Sequence, residues 1–319
     1  MVKDKVLENK EVTITFTAKT YCIVNNSRKP YMSSAISVLT LVHRRPEHLY
    51  NLITGLNQSS QIPDELVIVY MNESGDYDLP ATTYPVRTIH VSSTATAIPL
   101  AYARNTAVAR AQHDFLVFLD VDCIPDRDLL SHYREAAEHF SGLLMGEVYY
   151  LPPRITREIW DFGMLEAKAV SHPSRPVVRQ LVQPEDRYEL FWTLNFALSK
   201  STFNQVGGLD EHYQGYGAED TDFAFTARRL GIPFALCLAR AYHQHHPVYR
   251  PPLQHFADIV ANARYFYQKW QRWPMEGWLE AFYAMQLIDW RATSSTLAIR
   301  REPTAEEVAQ AYHEAPAGF

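Results

Sequence analysis

The feature that most constrains this chain is a five-residue apolar run, Phe115-Leu116-Val117-Phe118-Leu119, ending on Asp120-Val121-Asp122. A run of that length without polar alternation reads as a strand buried on both faces, the habit of parallel sheets. From Ile36 to Leu119 such runs alternate with helical patterns. That order predicts βαβ units and an α/β fold built on a doubly wound, mostly parallel, Rossmann-like sheet. Ligands of open α/β sheets bind beyond the carboxyl ends of the strands. Two carboxylates there mark a site or, on the plainer reading, a solvated turn. In an extended tripeptide Asp120 and Asp122 share one side and Val121 points to the other. Two hard carboxylates so placed suit Mg²⁺ or Mn²⁺.

A second stretch adds to the first. Gly215, Gly217 and the small Ala218 allow close backbone approach to a bulky ligand. Helical spacing follows at Phe223, Ala224, Ala227 and Leu230, with Gly231 as the C′ stop. Glu219 and Asp220 then sit at a helix N-terminus, where the dipole stabilises carboxylates as caps and also keeps one ionised as a general base. In Tyr242-His243-Gln244-His245-His246, strand alternation puts His243 and His245 on one face and His246 on the other. Either of the first two is a metal ligand or a surface histidine. Arg104 meets a phosphate or an acidic neighbour, and Trp192 is an acceptor platform or a buried aromatic. No Gly-x-Gly-x-x-Gly opens the chain, so phosphate charge falls to a metal rather than to a glycine cradle.

These residues carry a family resemblance. From about Ser33 to about Pro247 the chain resembles a GT-A-fold glycosyltransferase of the family 2 type. Its C-terminal half is similar to the galactosyltransferase, GalNAc-transferase and chondroitin-polymerase group. Ser37-Val38-Leu39-Thr40-Leu41-Val42-His43-Arg44 resembles the first strand and nucleotide-binding turn, and Pro63 to Val69 the second strand, with Asn72-Glu73 after it at the base. Leu100 to Ala107 resembles the helix before the metal motif, and Phe118-Leu119-Asp120-Val121-Asp122-Cys123 the DXD motif. Asn195 to Lys200, Val206 to Glu211 and Gly215 to Asp220 follow the family order, as does Ala241 to Gln244.

The resemblance implies Asp220 as catalytic base, with Glu219 beside it. It implies nucleotide-sugar contacts from Thr40, His43, Arg44, Asn72, Glu73, Arg104, Asp120, Asn195 and Gly217. It implies Mn²⁺ or Mg²⁺ on Asp122 and His243, with Asp120 in the metal shell. Tyr216 stands where the family has Trp, and Asn72-Glu73 where Asp-Asp is common. The implied reaction moves a sugar from a nucleotide-sugar donor, UDP-linked, to a hydroxyl on a glycan, lipid-linked or small-molecule acceptor. A single base predicts inversion. Two other readings compete: a sugar-phosphate nucleotidyltransferase, and a non-catalytic nucleotide- or glycan-binding module. The first wants a Gly-rich basic loop, and Thr40 to Pro46 offers only His43, Arg44 and Arg45. The second is expected to lose the carboxylates that this chain keeps.

Composition bounds the rest. A net charge of −6 argues against a nucleic-acid partner, which demands a basic face. Three scattered cysteines, Cys22, Cys123 and Cys237, give no disulfide framework and point to a reducing, cytoplasmic setting. Met1 to Lys10 is too charged for a secretory signal, and no apolar stretch approaches the ~20 residues of a membrane span. Three regions are expected: an N-terminal extension, 1–32, with a β-hairpin; a GT-A domain, 33–250, split near 125 into nucleotide and acceptor halves; and an aromatic helical appendage, 251–319. Residues 154–189, with three prolines, read as a long inserted loop over the acceptor side. The aromatic tail either packs on the catalytic domain or a second subunit, or lies on a membrane surface.

Overall fold

The computed structural model describes residues 35–73, 77–93, 97–157 and 159–314. The hairpin expected within 1–32, and Cys22 with it, lies outside the described residues.

The N-terminal half alternates as expected: β1 (Ile36–Val42), α1 (Pro46–Gln58), β2 (Glu65–Met71), β3 (Val86–Val91), α2 (Leu100–Arg110), β4 (Phe115–Leu119) and β5 (Cys123–Pro125). Then come α3 (Leu129–His139), β6 (Leu143–Tyr150), α4 (Phe162–Lys168), β7 (Val170–Ser171) and β8 (Val182–Pro184). The second half continues with β9 (Asn195–Ser199), α5 (Lys200–Val206), α6 (Glu219–Arg229) and β10 (Phe234–His243). Among the described residues these strands form one sheet in the order β3-β2-β1-β4-β9-β6-β10-β5, with β7 paired to β6 and β8 to β10. β1, β2, β3 and β4 are parallel. β9 runs against both β4 and β6, so β6 and its parallel neighbour β10 share the direction of β1. The sheet is therefore mostly parallel, with helices on both faces.

Side-chain alternation divides the core between the faces. Leu39, Val67 and Phe118 pack with Ala103 and Ala107 of α2 and Phe223 and Ala224 of α6. Val38, Ile68 and Val117 pack with Leu52 and Leu56 of α1 and Leu130 of α3. Opposite Phe118 in register is Phe196, their rings stacked at 4.2 Å, which fixes β9 beside the strand that ends on Asp120. α6 stops as read: Ile232 N–H donates to Ala227 O and Gly231 N–H to Arg228 O, with Gly231 at φ +70°. That is a Schellman closure.

The expected loop at 154–189 is not structureless. It contains α4 and lends β7 and β8 to the sheet. Its prolines break helices, but Pro184 sits in a short outer strand, where a missing N–H is tolerated.

Beyond the sheet lie α7 (Phe256–Trp270), α8 (Glu276–Ala284) and α9 (Ala305–Ala311). Phe256, Ile259, Phe282 and Trp290 form a cluster of their own, while Phe266 joins the core under α6. Lys269 Nζ and Trp270 Nε1 donate to the two oxygens of buried Asp222 at 2.8 and 2.7 Å, bolting α7 to α6. The aromatic residues named here thus pack inward. No helix among the described residues is long and apolar enough to cross a membrane.

Candidate active site

Three segments supply the site: the turn after β4, the end of β10 with the residues after it, and the N-terminus of α6. After Leu119 the chain does not stay extended. Asp120 C=O accepts from Cys123 N–H at 2.8 Å, closing a turn that separates the two aspartates. Asp122 Oδ1 faces His243 Nε2 at 3.5 Å and Oδ2 faces His246 Nε2 at 3.4 Å. Ligand atoms of Asp122, His243 and His246 all lie within 4.8 Å of one another. Asp120, expected in the same shell, is outside this group and instead accepts from Arg104 Nη2 at 3.1 Å.

His246 is the residue that strand alternation misplaces. β10 ends at His243, so the period-two rule stops applying at Gln244. The turn is held by a buried network: Gln244 N–H donates to Asp122 O at 2.7 Å, and its side chain bridges Asn51 Nδ2 and His48 O on α1. Asn51 Oδ1 in turn accepts from Trp160 Nε1. His245 Nε2 is buried without a hydrogen-bond partner among the described residues and stands apart from the three-residue group.

The electrostatics suit a cation. Burial opposes charge on Asp122, but His243, His246 and Arg45 hold its carboxyl well below the usual range. Burial lowers His243 to about 4, so its imidazole is neutral at physiological pH, as a metal ligand must be. Arg45, at the start of α1, donates to Asp122 Oδ2 and was not foreseen as a site residue.

Ala218 opens α6 with φ +73°, a left-handed conformation uncommon outside glycine, and such strain concentrates at functional sites. It aims Glu219 and Asp220 inward. Glu219 Oε1 accepts from Arg104 Nη1 at 3.4 Å, so one guanidinium spans Glu219 and Asp120. Burial, then the Asp220 charge, pushes Glu219 up to about 7. Burial also raises Asp220, whose Oδ1 accepts from Thr221 N–H at 2.6 Å.

The remaining expected residues divide. His43 Nδ1 lies 2.7 Å from Met71 O, Arg44 N–H donates to Glu73 Oε1, and Asn72 ties Ser93 N and Ala97 O together at the ends of β2 and β3. All four directly follow the carboxyl ends of β1 and β2. Thr40 is buried inside β1, its Oγ1 without a partner among the described residues. Asn195 is also buried: Nδ2 donates to Glu147 O and Ala239 O, and Oδ1 accepts from Tyr133. That amide is committed to linking β9, β6 and β10. At Gly217 (φ +106°) the close approach is to protein, since a Cβ would lie 2.6 Å from Met275 Sδ.

Asn262 of α7 fastens this loop. Its Nδ2 donates to Gln214 O at 2.9 Å, Gly217 O at 3.0 Å and Tyr216 O at 3.3 Å. Asn262→Leu is expected to lower stability by about 1–3 kcal/mol, because it strands buried carbonyls. Urea unfolding monitored by circular dichroism reads this, and an unchanged midpoint would remove the loop-fastening role. Tyr216 itself stacks on His255 at 4.8 Å and on Trp278 of α8 at 5.7 Å, with part of its ring exposed.

Comparison with known proteins accords with this geometry. Residues 37–160 match the model of glycosyl transferase family 2, and residues 175–247 that of the N-terminal domain of galactosyltransferase. The uncharacterized glycosyltransferase YfnE of Bacillus subtilis is 21% identical, across 73% of this chain and 70% of its own. Validoxylamine A glucosyltransferase of Streptomyces hygroscopicus subsp. jinggangensis is 41% identical over 46 residues, 14% of this chain and 11% of its own. Among solved structures, GalNAc-T7, crystallised with UDP, GalNAc and Mn²⁺, superposes with a TM-score of 0.50 at 11% identity, over 66% of this chain and 44% of that one. S. aureus TarS gives 0.48 at 15% identity, over 72% and 64%. The chain thus spans less than two-thirds of either solved relative. The two family models fall in succession on the segments described above: over residues 37–160 the chain is similar to glycosyl transferase family 2, over 175–247 to the galactosyltransferase domain, and its fold is one shared with GalNAc-T7.

Proposed function

We propose that the protein transfers a sugar from a nucleotide-sugar donor to an acceptor hydroxyl, with Asp220 as base and a divalent cation on Asp122, His243 and His246. The observation that carries it is the placement of an ionised carboxylate with two imidazoles at one edge of the crevice and a second carboxylate pair at a helix N-terminus. UDP is the donor nucleotide to test first, the one bound by GalNAc-T7. Residues 33–250 are the catalytic domain in this reading, and α7, fastened to α6 through Asp222, braces its acceptor side.

The donor set fits a cation: one carboxylate oxygen and two ring nitrogens within 4.8 Å, one imidazole held neutral by burial. When bound, the ion offsets charge on the departing diphosphate as a Lewis acid. In this reading His43, Arg44, Asn72 and Glu73, after the ends of β1 and β2, contact base and ribose, and Asp120, held by Arg104, serves the same donor. Asp220 takes the acceptor proton as the hydroxyl attacks, on the face opposite the leaving group, which gives inversion. Glu219, tethered to Arg104, sets the neighbouring charge. A nucleotidyltransferase is disfavoured, because it wants a Gly-rich basic loop and in the turn after β1 the Arg45 guanidinium is engaged by Asp122. The buried thiols of Cys123 and Cys237 support a reducing, cytoplasmic setting.

Two imidazoles shift the choice between ions. Mg²⁺ demands oxygen ligands and dehydrates reluctantly, whereas Mn²⁺ binds imidazole more tightly. UDP binding is expected to be at least about tenfold tighter with Mn²⁺ than with Mg²⁺ at equal concentration. Isothermal calorimetry with a panel of nucleoside diphosphates checks this. Equal affinity with Mn²⁺, Mg²⁺ and chelator would remove the metal from the reading.

A further inference from the structure

The proposed chemistry leaves one guanidinium unused. Arg175 follows β7, its Cζ 3.1 Å from the centre of the Trp192 ring in a cation–π contact. Its Nη1 donates to Leu190 O. Among the described residues no carboxylate lies within ion-pair distance of it, whereas Arg45, Arg104 and Arg240 each have at least one. Arginine offers five N–H donors in a planar fork matched to phosphate and carboxylate. A half-buried guanidinium without a direct ion-pair partner keeps donors open to the anionic group of a ligand.

The surroundings have room for such a ligand. Glu147, Tyr150, His172 and Trp192 line a slot with Arg175. Tyr150 and His172 also border a wider groove of about 410 Å³ that reaches Arg250 and Trp278. The slot itself is about 80 Å³, room for one anionic group rather than a whole ligand, and it shares Tyr150 and His172 with the groove. Asp220 is close enough for its charge to act on Arg175, and burial lowers the guanidinium only to about 10, so it is cationic at neutral pH. In the transferase reading the donor diphosphate goes to the cation cluster of Asp122, His243 and His246, which adjoins the slot through Tyr150, 4.9 Å from the His243 ring; an anion at Arg175 is then a second one.

We propose that Arg175 is an anion-binding residue of the slot it lines, taking a phosphate or carboxylate group of an acceptor whose remainder lies in the adjoining groove. The location beside the base rests on the transferase reading; the anion chemistry does not.

The test titrates the full chain with glycerol 3-phosphate, with glucuronate, and separately with UDP plus Mn²⁺, for wild type, Arg175→Gln and Arg175→Lys. At least one of the two acceptor-type anions is expected to bind wild type about 10- to 100-fold more tightly than Arg175→Gln. Arg175→Lys should fall between, since it keeps charge and loses the fork. UDP affinity should stay within about twofold. A loss confined to UDP would assign Arg175 to the donor and overturn the proposal. So would unchanged anion affinity in both variants, with folding confirmed by an unshifted Tm, or wild type binding neither anion. Failure of UDP to bind wild type at all would instead sink the transferase reading while leaving the anion arm readable.

Discussion

Asp220→Asn is expected to cut kcat by about 10²–10⁴-fold, the usual contribution of a positioned general base. The readout is hydrolysis of a UDP-sugar, transfer to water, which needs the same proton acceptor as transfer to a sugar hydroxyl. The substitution isolates chemistry from structure. Asp220 Oδ1 already accepts from Thr221 N–H at 2.6 Å and Thr221 Oγ1 at 3.3 Å, and an asparagine carbonyl keeps both bonds. Its Oδ2 has no hydrogen-bond partner among the described residues, and that oxygen is the one open to a proton. Nucleotide affinity should hold, because the charge removed is remote from the Asp122 cluster in this reading.

The pH profile gives an independent check on that base. Burial raises the Asp220 carboxyl, and Glu219 beside it is pushed to about 7. A base works only when deprotonated, so kcat/KM should fall as pH drops, on a limb above the ordinary carboxylate range. Asp220→Asn should flatten that limb along with the rate. A variant keeping more than about a tenth of the wild-type rate, with its acid limb intact, would show that another group takes the proton.

The parts of the site that sequence could reach are those governed by local periodicity. Phe115 to Leu119 announced β4, and the apolar stripe from Phe223 to Leu230 announced α6 and its Gly231 stop, because burial and backbone geometry act there within a few residues. His246 was hidden for the opposite reason. Its approach to Asp122 depends on Gln244 bonding to Asp122 O and to Asn51 on α1, partners 122 and 193 residues away in kind and position that no short window contains. Asn195 and Gly217 looked like ligand contacts, yet their environments are set by Tyr133 and Met275, also distant in sequence. Arg175 carried no motif. Its lack of an ion-pair partner among the described residues becomes visible only once the chain around it is folded.

Asp122→Ala is expected to abolish cation-dependent nucleotide binding, a loss of at least about 100-fold in UDP affinity with Mn²⁺. Asp122 is the only carboxylate in the three-residue group, and removing it leaves two imidazoles and Arg45 facing one another without a counter-charge. A cation would then enter a site with positive charge and no anionic ligand. Two histidine variants sharpen the test. His246→Ala should weaken Mn²⁺-dependent UDP binding by about 10- to 100-fold, while His245→Ala should change it by less than about threefold. The sequence pattern favours the reverse order, because alternation puts His245 beside His243. Calorimetry of the three variants against UDP and Mn²⁺ decides between a strand continuing through the motif and the turn fastened by Gln244. Binding that survives His246→Ala and disappears with His245→Ala would mean that the segment after His243 adopts the extended path when the cation is bound.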